Sequence, residues 1–167
     1  MSRPNTPSFW TTTHTTSEKD EWETPRSLVS YLAQYFSWDL DVCASRANVC
    51  ETFLTKADNA LSCSWTGLCW NNPPYGKEMR RWIAKAKHAA QSPGTTVVCL
   101  VPARTDTKWW HHNVPEASLV VFLKGRLSFE LDNIGQPAPF PSAIIVFGPL
   151  SELQKNVLKH MGWSPLG

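Results

Sequence analysis

Asn72-Pro73-Pro74-Tyr75 is the segment of this chain whose residue types and order point most directly to chemistry. It follows the short apolar stretch 67–71, which reads as a strand. Prolines cannot continue a ladder, so the four residues stand at that strand's carboxyl end, the end where open α/β sheets bind ligands. The two prolines stiffen the backbone and leave carbonyls without local amide partners. The Asn72 carboxamide and the Pro73 carbonyl can then accept both hydrogens of one exocyclic amino group, while the Tyr75 ring stacks on a flat base. Such a set binds a planar amine and needs neither a metal nor a covalent nucleophile. His111 and His112 lack cysteine or carboxylate partners at ligand spacing and read as phosphate- or solvent-facing.

The elements that must position this segment can be read from hydrophobic period. Residues 1–20 are rich in Thr, Ser and Pro and read as a flexible arm, leaving 21–167 as a single domain. Thr24 is expected as a helix N-cap with Pro25 at the first helical position, followed by apolar residues at 28, 31, 32, 35 and 36. Alternation predicts a strand over 38–42 and a weaker one over 51–55. A helix is expected over 78–91, with Met79, Trp82, Ile83 and Ala86 on one face and Arg80, Arg81, Lys85 and Lys87 on the other. The near-continuous apolar run 95–101 reads as a strand buried on both sides. A short helix over 106–113, a strand over 119–123, a closing antiparallel pair over 127–131 and 143–147, and a last helix over 151–161 complete the pattern. Strands alternating with helices predict an α/β fold with a mostly parallel sheet and an antiparallel edge.

Composition narrows the class. The 167 residues are 42% hydrophobic and 18% charged, enough for one packed core, and nine are tryptophans. No run of about 18 apolar residues is present, so no membrane span is expected, and the first residues lack an apolar signal core. Five cysteines without a C-x-x-C pair argue against a disulfide framework or a zinc ribbon and fit a reducing cytoplasm. The net charge of +2 is unevenly spread: residues 1–60 carry 5 basic against 8 acidic side chains, whereas 61–167 carry 11 against 6. A basic half suggests an anionic partner on one face.

Several segments occur in a telling order: Asp20-Glu21-Trp22-Glu23-Thr24-Pro25, Asp39-Leu40-Asp41-Val42-Cys43-Ala44-Ser45, Asn72-Pro73-Pro74-Tyr75, Val101-Pro102-Ala103-Arg104-Thr105-Asp106-Thr107 with Trp109-Trp110, Gly125-Arg126-Leu127 and Pro141-Ser142-Ala143. Together they resemble the phage-type DNA N6-adenine methyltransferases (the phage Dam family) over residues 20–148. The resemblance implies a Rossmann-like fold using S-adenosylmethionine, with Asn72, Pro73, Pro74 and Tyr75 catalytic. It implies that Thr24 and Pro25 meet the methionine end of the cofactor, beside Trp22. Asp41, Cys43 and Ala44 take the place of the loop after the first strand, although Val42-Cys43-Ala44 departs from the glycine-rich pattern. Asp58 resembles the acidic position for the adenosine part.

The implied chemistry is direct methyl transfer to the N6 amine of adenine in double-stranded DNA, after the base is flipped out of the duplex. Arg104, Lys108, Trp109, Trp110 and Arg126 are expected to meet DNA, in a monomer or weak dimer without metal, in the cytoplasm of the host if phage-encoded. A short target such as GATC and a place in restriction-modification fit the resemblance. Transfer to N4 of cytosine uses the same amine logic and stays open, as do a protein glutamine amide and an inactive DNA-binding module of the same fold. C5-cytosine chemistry is disfavoured, because no Pro-Cys dipeptide supplies its nucleophile.

Overall fold

The computed structural model describes residues 22–45, 48–131 and 134–165, together with the two-residue strand Trp10–Thr11. The expected flexible arm otherwise lies outside the described residues. In chain order the elements are β1 (Trp10–Thr11), α1 (Arg26–Leu32), β2 (Leu40–Asp41), β3 (Leu68–Asn71), α2 (Met79–Ala89), β4 (Thr96–Pro102), α3 (Lys108–Asn113), β5 (Leu119–Leu123), β6 (Arg126–Leu131), β7 (Ile134–Pro137), β8 (Ser142–Phe147), α4 (Glu152–Lys159) and β9 (Gly162–Trp163).

The main sheet has the order β2-β3-β4-β8-β5-β9. β2, β3 and β4 are parallel, and β8 runs antiparallel to both β4 and β5, so β5 points the same way as the first three. The carboxyl ends of four strands therefore gather along one rim. β4 and β8 are buried at every position, as their uniformly apolar centres require for strands covered on both faces. Met79, Ile83, Ala86 and Ala89, spaced one helical turn apart, bury the inner face of α2 against β4.

Five sequence expectations change here. The closing pair 127–131 with 143–147 does not form: β8 sits inside the sheet, and β6 pairs with β7 and β1 in a separate three-stranded sheet. The side chains explain the split, since Ser142–Phe147 is buried throughout whereas Arg126 and Ser128 stay half-exposed around Leu127 and Phe129. Antiparallel pairing is not confined to an edge as expected: β8 runs antiparallel inside the sheet, between β4 and β5, and the edge strand Gly162–Trp163 is antiparallel to β5 as well. Residues 51–55 contribute only a single parallel bridge, Phe53 to Asp41, and the first strand shortens to Leu40–Asp41. Pro25, not Thr24, is the N-cap of α1, and its carbonyl accepts from the amides of Leu28 and Val29. Thr24 is thereby released from capping, with consequences for the site.

Candidate active site

A cavity of about 740 Å³ opens at the ends of β2 and β3. Trp22, Glu23 and Thr24 wall one side, the β2 end (Asp41, Cys43, Ala44) another, and Asn72, Pro73 and Pro74 a third. A second cavity of about 350 Å³ is lined by Tyr75, Gly76, Pro102, Arg104, Trp109 and Phe140 among others. The Asn-Pro-Pro-Tyr segment thus runs from one cavity into the other.

The Asn72 side chain is held on three sides. Its Nδ2 donates to the Trp22 carbonyl at 2.6 Å and to Thr24 Oγ1 at 3.1 Å, and its Oδ1 accepts from the Tyr75 hydroxyl at 3.0 Å. These partners fix which way the carboxamide points. The Tyr75 hydroxyl also lies 3.5 Å from the Leu100 carbonyl, and burial pushes its pKa up. The Tyr75 ring meets Phe140 (5.3 Å) and Phe129 (6.3 Å) edge-to-face, and Trp22 meets the same two rings at 5.4 Å each. Four aromatic side chains from the amino-terminal segment, the Asn-Pro-Pro-Tyr turn, β6 and the β7–β8 loop therefore stiffen the junction of the two cavities. Among the described residues no N–H meets the Pro73 carbonyl, which leaves that oxygen available.

Asp41 is 3% exposed and accepts from the amides of Cys43 (3.2 Å) and Val49 (3.0 Å). Burial outweighs both bonds and pushes its carboxyl above the usual carboxylate range. Glu23 and Glu78 also line the larger cavity, but Glu78 is paired with Arg81 at 2.7 Å and Lys56 stands on the same wall, so Asp41 and Glu23 are the carboxylates left to meet a cationic ligand. Ser45 donates to Glu23 at 3.1 Å and holds that carboxylate at the wall.

Not every expected residue joins this assembly. Pro25 starts α1 and does not line the cavity. Asp58 is exposed, and its Oδ2 accepts from both the amide and the hydroxyl of Thr55 at 2.7 Å, bonds that lower its pKa. Its neighbours Thr55, Lys56, Ala57 and Asn59 line the cavity, but its own carboxylate caps a turn. Threonine three residues ahead of an acidic residue was the available sequence signal. Glu78 and Trp82, one helical turn apart at the start of α2, were missed, and both line the larger cavity.

The rim of the smaller cavity is made by a braced loop. The Ala103 amide donates to the Pro141 carbonyl, Thr107 Oγ1 donates to the Arg104 carbonyl at 2.7 Å, and a His111 ring nitrogen lies 2.7 Å from the Thr105 carbonyl. Arg104 and Lys108 are exposed and Trp109 half-buried, whereas Trp110 is buried and stacked on Phe122 at 5.8 Å. Trp110 is therefore a core residue that lines neither cavity, and Trp109 is the ring of the pair on the smaller one. Arg126 opens β6 half-buried, with an enclosed Nη1 that has no partner among the described residues.

The family description DNA N-6-adenine-methyltransferase (Dam) matches residues 11–155. The chain belongs to that family. A DNA N-6-adenine-methyltransferase of Haemophilus phage HP1 is 32% identical over 141 residues, covering 80% of this chain and 81% of that protein. One of Escherichia phage T1 is 31% identical over 122 residues, covering 68% of this chain and 49% of that protein. Every element of the two cavities named above lies within the span matched to the Dam family. Among the described residues no helix is long and apolar enough to cross a membrane, and no group of three or more His, Cys, Asp or Glu is arranged to hold a metal ion.

Proposed function

We propose that this member of the Dam family transfers a methyl group from S-adenosylmethionine to N6 of adenine in double-stranded DNA. The observation that carries the reading is the Asn72 carboxamide, fixed at the junction of a large acidic cavity and a smaller one rimmed by Arg104 and Trp109. A sulfonium donor is cationic, and the larger cavity offers the buried Asp41 carboxylate with Glu23, so the residues present fit it. Bound there, the donor supplies an electrophilic methyl group. The chain's own residues do the rest. Asn72 Oδ1 and the Pro73 carbonyl accept the two amine hydrogens and draw the nitrogen toward tetrahedral geometry, so that its lone pair faces the larger cavity. Positioning and preorganised dipoles lower the barrier. The flipped base takes the smaller cavity, stacked on Tyr75.

Incubating the protein with unmethylated DNA and S-adenosylmethionine, then digesting and weighing the nucleosides, tests this reading. N6-methyladenine is expected, and protection of GATC sites from a methylation-sensitive nuclease is the expected sequence readout. N4-methylcytosine would transfer the same geometry to another base. No product despite donor binding would leave a DNA-binding module.

Asp41 makes donor binding depend on pH in a predictable direction. A cationic ligand favours the ionised carboxylate, and burial has raised the pKa of the unliganded protein. Affinity is therefore full above that raised pKa and is lost as pH falls through it, at higher pH than an ordinary carboxylate would give. Calorimetry in buffers of different ionisation enthalpy should find proton release on binding as the pH falls through that raised pKa. Asp41→Asn should flatten the profile and weaken binding roughly ten- to hundredfold, the worth of one charge-assisted hydrogen bond.

The DNA side is separable from the basic helix by salt. Arg81 pairs with Glu78 at 2.7 Å, Lys87 pairs with Glu116 at 2.9 Å, and Lys85 lies over the Trp65 ring, so α2 spends much of its charge locally. Arg104 and Lys108 have no ion pair among the described residues. Arg104→Ala or Lys108→Ala should lower the salt slope of DNA affinity by about one unit, as loss of a phosphate contact does. Arg81→Ala and Lys85→Ala should leave it unchanged, and the reverse pattern would put the duplex on α2.

A further inference from the structure

Thr24 Oγ1 accepts two hydrogen bonds at once, from Trp70 Nε1 at 3.3 Å and from Asn72 Nδ2 at 3.1 Å. A threonine hydroxyl has two lone pairs and one hydrogen. Both lone pairs are occupied, so the hydroxyl hydrogen must point elsewhere, and among the described residues it finds no acceptor. Thr24 also lines the large cavity. Among the described residues its remaining capacity is to donate to an acceptor atom of whatever occupies that cavity, while its oxygen holds the Asn72 carboxamide.

We propose that Thr24 is a positioning residue that links the two substrates. Its oxygen, with the Trp22 carbonyl, fixes Asn72 with Oδ1 turned toward the amine, and its hydrogen donates to an acceptor on the methyl donor. This rests on the reading above that the larger cavity takes a sulfonium donor. When the donor accepts that hydrogen, the Thr24 oxygen becomes a stronger acceptor and grips Asn72 Nδ2 more firmly, since linked hydrogen bonds polarise one another. The target amine is then polarised best when the methyl group is already in place. The geometry also explains why Thr24 does not cap α1: the hydroxyl is committed to Trp70 and Asn72, and Pro25 takes the cap position.

The test compares Thr24→Val, which keeps the shape and removes the hydroxyl, with Thr24→Ser, which restores it. In the ligand-free protein, solvent exchange of the Asn72 side-chain amide protons, assigned through their loss in Asn72→Ala, should speed up about tenfold in Thr24→Val and stay near wild type in Thr24→Ser. That factor is the worth of one hydrogen bond of about 1.4 kcal/mol. Adding S-adenosylhomocysteine should shift those signals in wild type and Thr24→Ser but not in Thr24→Val. Turnover at saturating donor and DNA should fall about tenfold in Thr24→Val, with KM for DNA little changed.

Unchanged amide exchange and turnover in Thr24→Val would overturn the proposal. So would weaker donor binding with normal turnover at saturation, which leaves Thr24 a donor contact alone. Damage in Thr24→Ser equal to that in Thr24→Val would overturn it too, because packing and not the hydroxyl would then be at work. If wild type bound neither S-adenosylmethionine nor S-adenosylhomocysteine, the donor reading would fall and the link with it, whereas the exchange experiment would still decide whether Thr24 holds Asn72.

Discussion

Asn72→Ala is expected to reduce methyl transfer by roughly 10²- to 10³-fold, the loss seen when one preorganised hydrogen-bond partner of a transition state is removed. Donor affinity should stay within a few-fold, because the carboxylates assigned to the donor are Glu23 and Asp41. The substitution also strips the Trp22 carbonyl, Thr24 and Tyr75 hydroxyls of their shared partner, so a thermal melt should accompany the kinetics. Loss of transfer with a melt near wild type assigns the effect to chemistry. Near-normal turnover would show that the amine is gripped elsewhere.

The Tyr75 series should separate ring from hydroxyl. Tyr75→Ala removes a ring that is 7% exposed, packed against Phe129 and Phe140, and assigned to stack on the flipped base. Base–aromatic stacking is worth about 1–3 kcal/mol, so a loss of roughly ten- to hundredfold or more in kcat/KM is expected. Stability should also fall by about 3–5 kcal/mol from the cavity left behind. Tyr75→Phe keeps the ring and loses the hydroxyl's bond to Asn72 Oδ1 and its longer one to the Leu100 carbonyl, so it should retain most of the activity. If Phe and Ala were equally damaging, the hydroxyl and its hold on Asn72 would be the essential feature.

The sequence made the centre of the site legible, because Asn72–Tyr75 is defined by rare local chemistry and Pro73-Pro74 must follow a strand. It made α2 legible because Met79, Ile83 and Ala86 repeat at helical period and end up buried. What it concealed depends on long-range partners. Thr24-Pro25 satisfies the local pattern of a helix cap, yet indole and carboxamide donors 46 and 48 residues away claim the hydroxyl. Asp58 looks like a ligand group until Thr55 is seen to occupy it. Trp109 and Trp110 are adjacent letters, and only Phe122, from the next strand, decides which ring belongs to the core. Pairing of residues 127–131 with 143–147 looked natural by proximity in the chain, but strand partners are chosen by which faces need burying, and β8 needed both.

The interior place of β8 has a bearing on how the molecule is made. Strands β4 and β5 do not touch as neighbours in the main sheet; β8 joins them, and it leaves the ribosome after every residue of both cavities named here. Until Phe147 is available, the nascent chain carries two apolar strands with open edges and only part of a sheet behind its site, a state prone to association. The main sheet is thus closed only when β8 has joined β4 to β5. A message cut short before Ser142 should yield aggregate, with no partly working enzyme loose among the DNA of the cell that made it.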